Sequence, residues 1–105
     1  MKRKKTLKKL YLDDIRNPKT EDWKIVRKYE DFIDDITENG LPDEISFDHD
    51  LGEQNKTGYD CAKWLCEYCW GNGLPLPSWN VHSANPVGRD NIMAILKSFE
   101  KKLNY

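Results

Sequence analysis

Ile45-Ser46-Phe47-Asp48-His49-Asp50 decides the fold, because a short apolar run of strand character breaks there directly into acid. Leu10-Tyr11-Leu12-Asp13-Asp14 repeats the pattern, with the turn-prone Arg16-Asn17-Pro18 just beyond it. Trp79-Asn80-Val81 ends the same way in His82-Ser83, and Trp23-Lys24-Ile25-Val26-Arg27 reads as a further strand. Between these runs the apolar spacing changes to that of helices. Phe32, Ile33 and Ile36 before Asn39-Gly40 predict a helix over about 29–38. Thr57, with Asp60 three positions on, caps a second helix that carries Ala62, Leu65, Cys66 and Cys69 along one face and stops at Gly71-Asn72-Gly73. Asn85-Pro86 has the order of cap and first helical residue, and Ile92, Ile95, Leu96, Phe99 and Leu103 form the stripe of a last helix. Strands separated by helices call for a parallel sheet with right-handed crossovers, in which every strand's carboxyl end lies along one edge. Asp13, Asp14, Asp48, Asp50 and His82 are therefore expected to converge at that edge, where open α/β sheets bind their ligands.

Composition narrows the class. The 105 residues suit one domain, with 1–9 as a basic leader running into the first strand and 10–105 as the domain itself. Hydrophobic residues at 38% and charged residues at 33%, with four Trp and five Tyr, exclude a disordered chain. No apolar run reaches the roughly 20 residues that span a bilayer, and Met1-Lys2-Arg3-Lys4-Lys5 is no signal core. A cytoplasmic protein without membrane contact is expected. Net charge is −1, with a basic cluster of Lys2, Arg3, Lys4, Lys5, Lys8 and Lys9 that reads either as a solvated leader or as a lure for polyanions. Cys61, Cys66 and Cys69 fall in one predicted helix and suit buried thiols better than a disulfide framework; Cys66-x-x-Cys69 without a second pair is a weak zinc signal.

The chemistry follows from the residue types. Carboxylates gathered at one strand edge repel each other, and a divalent cation offsets this most simply; hard oxygen ligands point to Mg²⁺ or Mn²⁺. Asp13, Asp14, Asp48 and Asp50 are the candidate ligands. His82 stands where the fourth strand leaves the sheet and is a candidate acid, base or ligand, while His49 alternates with Asp48 and Asp50 and faces either the site or the core flank. The helix opened by Asn85 turns free N–H groups to the same edge, and Arg16 reads either as a clamp for phosphate oxygens or as a surface ion pair. A cation site, a helix N-terminus and a titratable His together favour a phosphate ester as substrate.

Leu12-Asp13-Asp14-Ile15-Arg16-Asn17-Pro18, Ile45 to Gly52, Thr57-Gly58-Tyr59-Asp60 and Val81-His82-Ser83-Ala84-Asn85-Pro86-Val87-Gly88 resemble the signatures of the cyclic-phosphate processing receiver domains. That resemblance implies a small three-layer, receiver-like (flavodoxin-like) α/β fold with a mostly parallel sheet of about four strands and helices on both faces, lacking the fifth strand of receivers. It matches Asp13 and Asp14 to the receivers' acidic pair, Asp48 to their phospho-acceptor, and Ser83 to the hydroxyl after the fourth strand. Receivers also carry a Lys after a fifth strand, which has no counterpart here. His49 and His82 are additions that favour hydrolysis.

Three functions are consistent with this pattern. The first is a metal-dependent phosphoesterase acting on a 2′,3′-cyclic RNA end or a cyclic nucleotide, with catalytic His82, Asp48 and His49 and with Arg16, Ser83 and Asn85 on the phosphate. The second is a module that sequesters a phosphate-bearing nucleotide uncleaved. The third is a receiver-like signalling domain, phosphorylated on Asp48 and read by a partner protein.

Overall fold

The computed structural model describes residues 7–52 and 56–103. Seven elements follow in the order β1 (Lys9–Leu12), β2 (Trp23–Val26), α1 (Tyr29–Asn39), β3 (Glu44–Phe47), α2 (Gly58–Asn72), β4 (Ser78–Val81) and α3 (Pro86–Leu103). The four strands form one parallel sheet in the order β2-β1-β3-β4, and no fifth strand is present among the described residues. Most of the proposed basic leader, residues 1–6, lies outside the described residues. Lys8 and Lys9 lie within them: the Lys8 Nζ donates to the Asn39 carbonyl, and Lys9 pairs with Asp22 at 2.8 Å.

Strand parity decides which side chains become core. Leu10 and Leu12 of β1, Val26 of β2, and Ile45 and Phe47 of β3 share one face and are buried. They belong to one cluster with Phe32 and Ile36 of α1, Leu65 and Cys66 of α2, and Ile92 and Leu96 of α3. All three helices therefore cover the same face. The four-stranded parallel, receiver-like sheet is as expected, while the helices on the second face that the receiver likeness implied are not found among the described residues. The physical reason lies between β1 and β2. Residues 13–22 make the crossover that would place a helix on the opposite face, but Asn17-Pro18 and the hydrogen bonds of Asp13 hold them in turns. The face carrying Tyr11, Trp23 and Ser46 has no helical cover among the described residues.

The helices begin as their caps dictate. The Thr57 side chain accepts from the N3 backbone, and its own N–H donates to Asp60 Oδ2 at 2.8 Å, a capping box. Asn85 Oδ1 accepts the Gly88 N–H at 3.0 Å, with Pro86 as the first helical residue. Gly58 is required by close approach. A Cβ there would lie 1.7 Å from the Asp48 carbonyl oxygen, so only glycine lets α2 start against the end of β3.

Cys61, Cys66 and Cys69 are free and buried on the inner face of α2. Burial pushes the Cys69 thiol up to about 11 and Cys66 to about 12, and raises Cys61 further. None is a thiolate near neutral pH. A water-soluble disulfide reagent at pH 8 is expected to titrate no thiol in the native protein and all three in denaturant. Fast reaction of even one native thiol would contradict this packing.

Candidate active site

The sheet ladder continues one residue beyond three strands. The Asp13 N–H donates to the Val26 carbonyl at 3.2 Å, the Asp48 N–H to Leu12 at 3.0 Å, and the His82 N–H to Phe47 at 2.9 Å. Each residue is thereby fixed by backbone bonds at the carboxyl edge, and alternation turns all three side chains to the helix-free face. One ligand atom from each lies within 4.8 Å of the others. Asp13 and Asp48 are both buried, and His82 is largely so.

The two carboxylates are held in opposite electrostatic states. Burial pushes Asp13 up, but the N–H groups of Ile15 and Arg16 on its Oδ1, at 2.9 and 2.7 Å, and His82 outweigh it; the net shift is downward. Asp48 is shifted upward by burial and then by the charge of Asp13, against a single N–H from His49 at 2.9 Å. One acid is prepared to stay charged. The other is uncomfortable when charged.

His82 is clamped from three sides. Its ring stacks on Tyr11 with centroids 4.4 Å apart and planes 8° from parallel. Its Nδ1 lies 2.7 Å from Ser46 Oγ, and its Nε2 lies 3.0 Å from Asp13 Oδ2. The direction of the Nδ1 contact follows from what lies behind it. Asn80 Nδ2 donates to the Glu44 carboxylate at 3.4 Å, so Asn80 Oδ1 accepts the Ser46 hydroxyl proton at 2.6 Å. Ser46 Oγ is then an acceptor for Nδ1–H, which leaves Nε2 to face Asp13. Two electron-rich atoms at that distance make the gap between them a seat for a proton or a cation.

The remaining candidates surround this trio. Arg16 Nε lies 3.5 Å from Asp13 Oδ2 on a half-exposed side chain. Ser83 is buried and its Oγ accepts the Asn85 N–H at 3.1 Å, leaving its own proton to give. Asp14 turns toward the loop after β3, its Oδ2 3.3 Å from where a Cβ on Gly52 would stand. Asp50 is exposed, bound to His49 Nδ1 at 2.9 Å and within 3.5 Å of Asn85 Nδ2. Neither Asp14 nor Asp50 belongs to the three-residue cluster. His49, of opposite parity to Asp48, packs on the helix side, where a Cβ on Gly88 would fall 2.3 Å from its ring.

A family model for the cyclic-phosphate processing receiver domain matches residues 8–98. The chain belongs to that family. No curated protein and no solved structure matches it. Four residues of this receiver domain's site do not stand out in its acidic motifs: Tyr11, Ser46, Asn80 and Arg27. Arg27 ties the loop after β1 in place, donating to the carbonyls of Asp13 and Arg16 and to Asn17 Oδ1. The signal for the first three was parity. Tyr11 lies two residues before Asp13, Ser46 two before Asp48 and Asn80 two before His82, so each shares a face with its partner.

The raised Asp48 makes a prediction about stability. Its protonated form is favoured in the folded state, so its contribution is fully present below the ordinary carboxylate range and is lost as pH rises through the folded pKa. At neutral pH the ionised side chain weakens the fold. Asp48→Asn is expected to stabilise the fold at pH 7, with a Tm rise of a few degrees. The gain should shrink as pH falls toward 4, and thermal melts across that range check it. An unaltered or lower Tm at pH 7 would show that Asp48 carries no such penalty.

Proposed function

We propose that this domain hydrolyses a cyclic phosphate ester, with the reaction centred between Asp13, Asp48 and His82. The observation that carries the reading is the enforced closeness of two buried acids and an imidazole at a sheet edge, supported by a family whose description is cyclic-phosphate processing. The donor set suits Mg²⁺ or Mn²⁺: two carboxylates side by side, one with its charged form disfavoured by burial and by the other. Asp13 and Asp48 would hold the cation, with Asp14 and Asp50 adding negative potential at its approach. When bound, the cation supplies charge neutralisation to the acids and polarisation to the phosphoryl oxygens.

The chain's own residues supply the rest. His82 takes the proton of the attacking water through Nε2 into the gap it shares with Asp13 Oδ2, while Ser46 and the Tyr11 stack hold the ring in the tautomer and plane this needs. Water adds to phosphorus, the ester bond to one ring oxygen breaks, and the proton held by His82 passes to that oxygen. Arg16 and the Ser83 hydroxyl bind the non-bridging oxygens beside the N-terminus of α3. The product is a phosphate monoester.

Incubation with nucleoside 2′,3′-cyclic phosphates and Mn²⁺ or Mg²⁺, followed by phosphorus NMR, tests the reading. Conversion to monoester is expected, falling by about 100-fold or more in His82→Gln and Asp48→Asn. Ser46→Ala is expected to lose about tenfold with a displaced pH profile, since it acts through His82. The metal should raise the Tm of the wild type and not of Asp48→Asn. Absence of turnover, or turnover unchanged from wild type in both His82→Gln and Asp48→Asn, removes the proposal; ligand recovered intact after denaturation would favour sequestration instead.

A further inference from the structure

On the helix side of the sheet, α2 and α3 leave a cleft of about 600 Å³ lined by His49, Thr57, Tyr59, Asn91 and Ser98. That volume is in the range of ligand-binding clefts. A second hollow of about 510 Å³, walled by Lys97, Lys101 and Lys102, shares Ala94 and Ser98 with the first, so the two make one groove along α3. From Asn91 to Lys102 the helix rises about 17 Å. The chain has 18 acids against 17 Lys and Arg, yet among the described residues no carboxylate lines either part of the groove. Lys97 and Lys101 lie one turn apart, and Lys102 stands 5.2 Å from the Phe99 ring centroid. The upper end offers an aromatic ring, an amide and hydroxyls, the groups that take a base and a sugar; the lower end offers three ammonium groups, which take phosphates. His49 lines the groove at the carboxyl end of β3 and directly follows Asp48, whose side chain turns to the opposite face, so a strand leaving the groove past His49 has to cross the sheet's carboxyl edge to meet it.

We infer that this groove binds a single-stranded RNA segment, its phosphates on Lys97, Lys101 and Lys102 and a base against Tyr59, so that the strand's cyclic-phosphate end arrives beside Asp48. The 2′,3′-cyclic ester exists only where a ribose 2′-hydroxyl does, which makes RNA the strand. The inference deepens the proposed hydrolysis and rests on it only for the chemical end of the strand; the groove itself is carried by its shape and charge.

The test is fluorescence anisotropy with a short, unstructured, 5′-labelled oligoribonucleotide ending in a 2′,3′-cyclic phosphate. Replacement of Lys97, Lys101 and Lys102 together by Ala is expected to weaken binding by about tenfold or more, and to reduce the slope of log Kd against log salt by about 2. The control removes three exposed lysines outside the groove lining, Lys8→Ala, Lys19→Ala and Lys28→Ala, and should leave both quantities near wild type. Equal loss in the two triples, or binding of polyglutamate as tight as that of RNA, overturns the inference. Its failure is distinguishable from failure of the hydrolysis. Groove-dependent binding without turnover keeps the RNA site and discards the chemistry, whereas turnover of cyclic mononucleotides with RNA binding indifferent to the groove lysines does the reverse.

Discussion

Two carboxylates pressed together out of water are the constraint on which the rest of this molecule turns. Asp13 and Asp48 are almost wholly buried, and neither chose that position by its own solvation. The ladder bonds that run one residue past β1 and β3 put them there. Asp13 is made tolerable by two backbone N–H groups and an imidazole, and Asp48 is left with burial and a neighbouring charge. A fold that keeps such a pair gives up stability at one edge, and the core of Leu12, Phe32, Phe47, Leu65 and Ile92 beneath has to outweigh it.

Much of this was readable from the chain alone, for reasons that can be named. Apolar triplets that end in acid marked β1 and β3, and the Thr57 and Asn85 caps marked the starts of α2 and α3, because local hydrogen bonding fixes those places without help from distant residues. The meeting of Asp13, Asp48 and His82 followed from a parallel sheet having one carboxyl edge. The layering did not follow. Whether a helix lies over Tyr11 depends on what residues 13–22 do, and the turn bonds of Asp13 and the anchoring by Arg27 are tertiary facts with no periodicity to betray them. The division of labour among the acids was equally hidden. Asp13 and Asp14 are identical in type and adjacent, and only the alternation of a strand, continued one residue further than its apolar run, separates the one in the cluster from the one against Gly52.

The polar row behind His82 shows how a small sheet substitutes for missing layers. Glu44, Asn80 and Ser46 occupy positions that a second helix layer would have required to be apolar. With that face free of helices they form instead a line of hydrogen bonds with one sense of direction, ending on Nδ1. A carboxylate at the far end sets the orientation of a ring at the near end. Tyr11, whose phenol is raised by burial and by the charge of Asp13, closes the row on its other side.

Gly88 leaves just enough room for the flat of the His49 ring. The imidazole thus works as a shim between the first turn of α3 and the end of β3, hard against one and covalently continuous with the other. Sideways travel of that turn has to be absorbed by the shim or handed on to Asp48, one peptide away, so the helix and the acid share a single mechanical clearance.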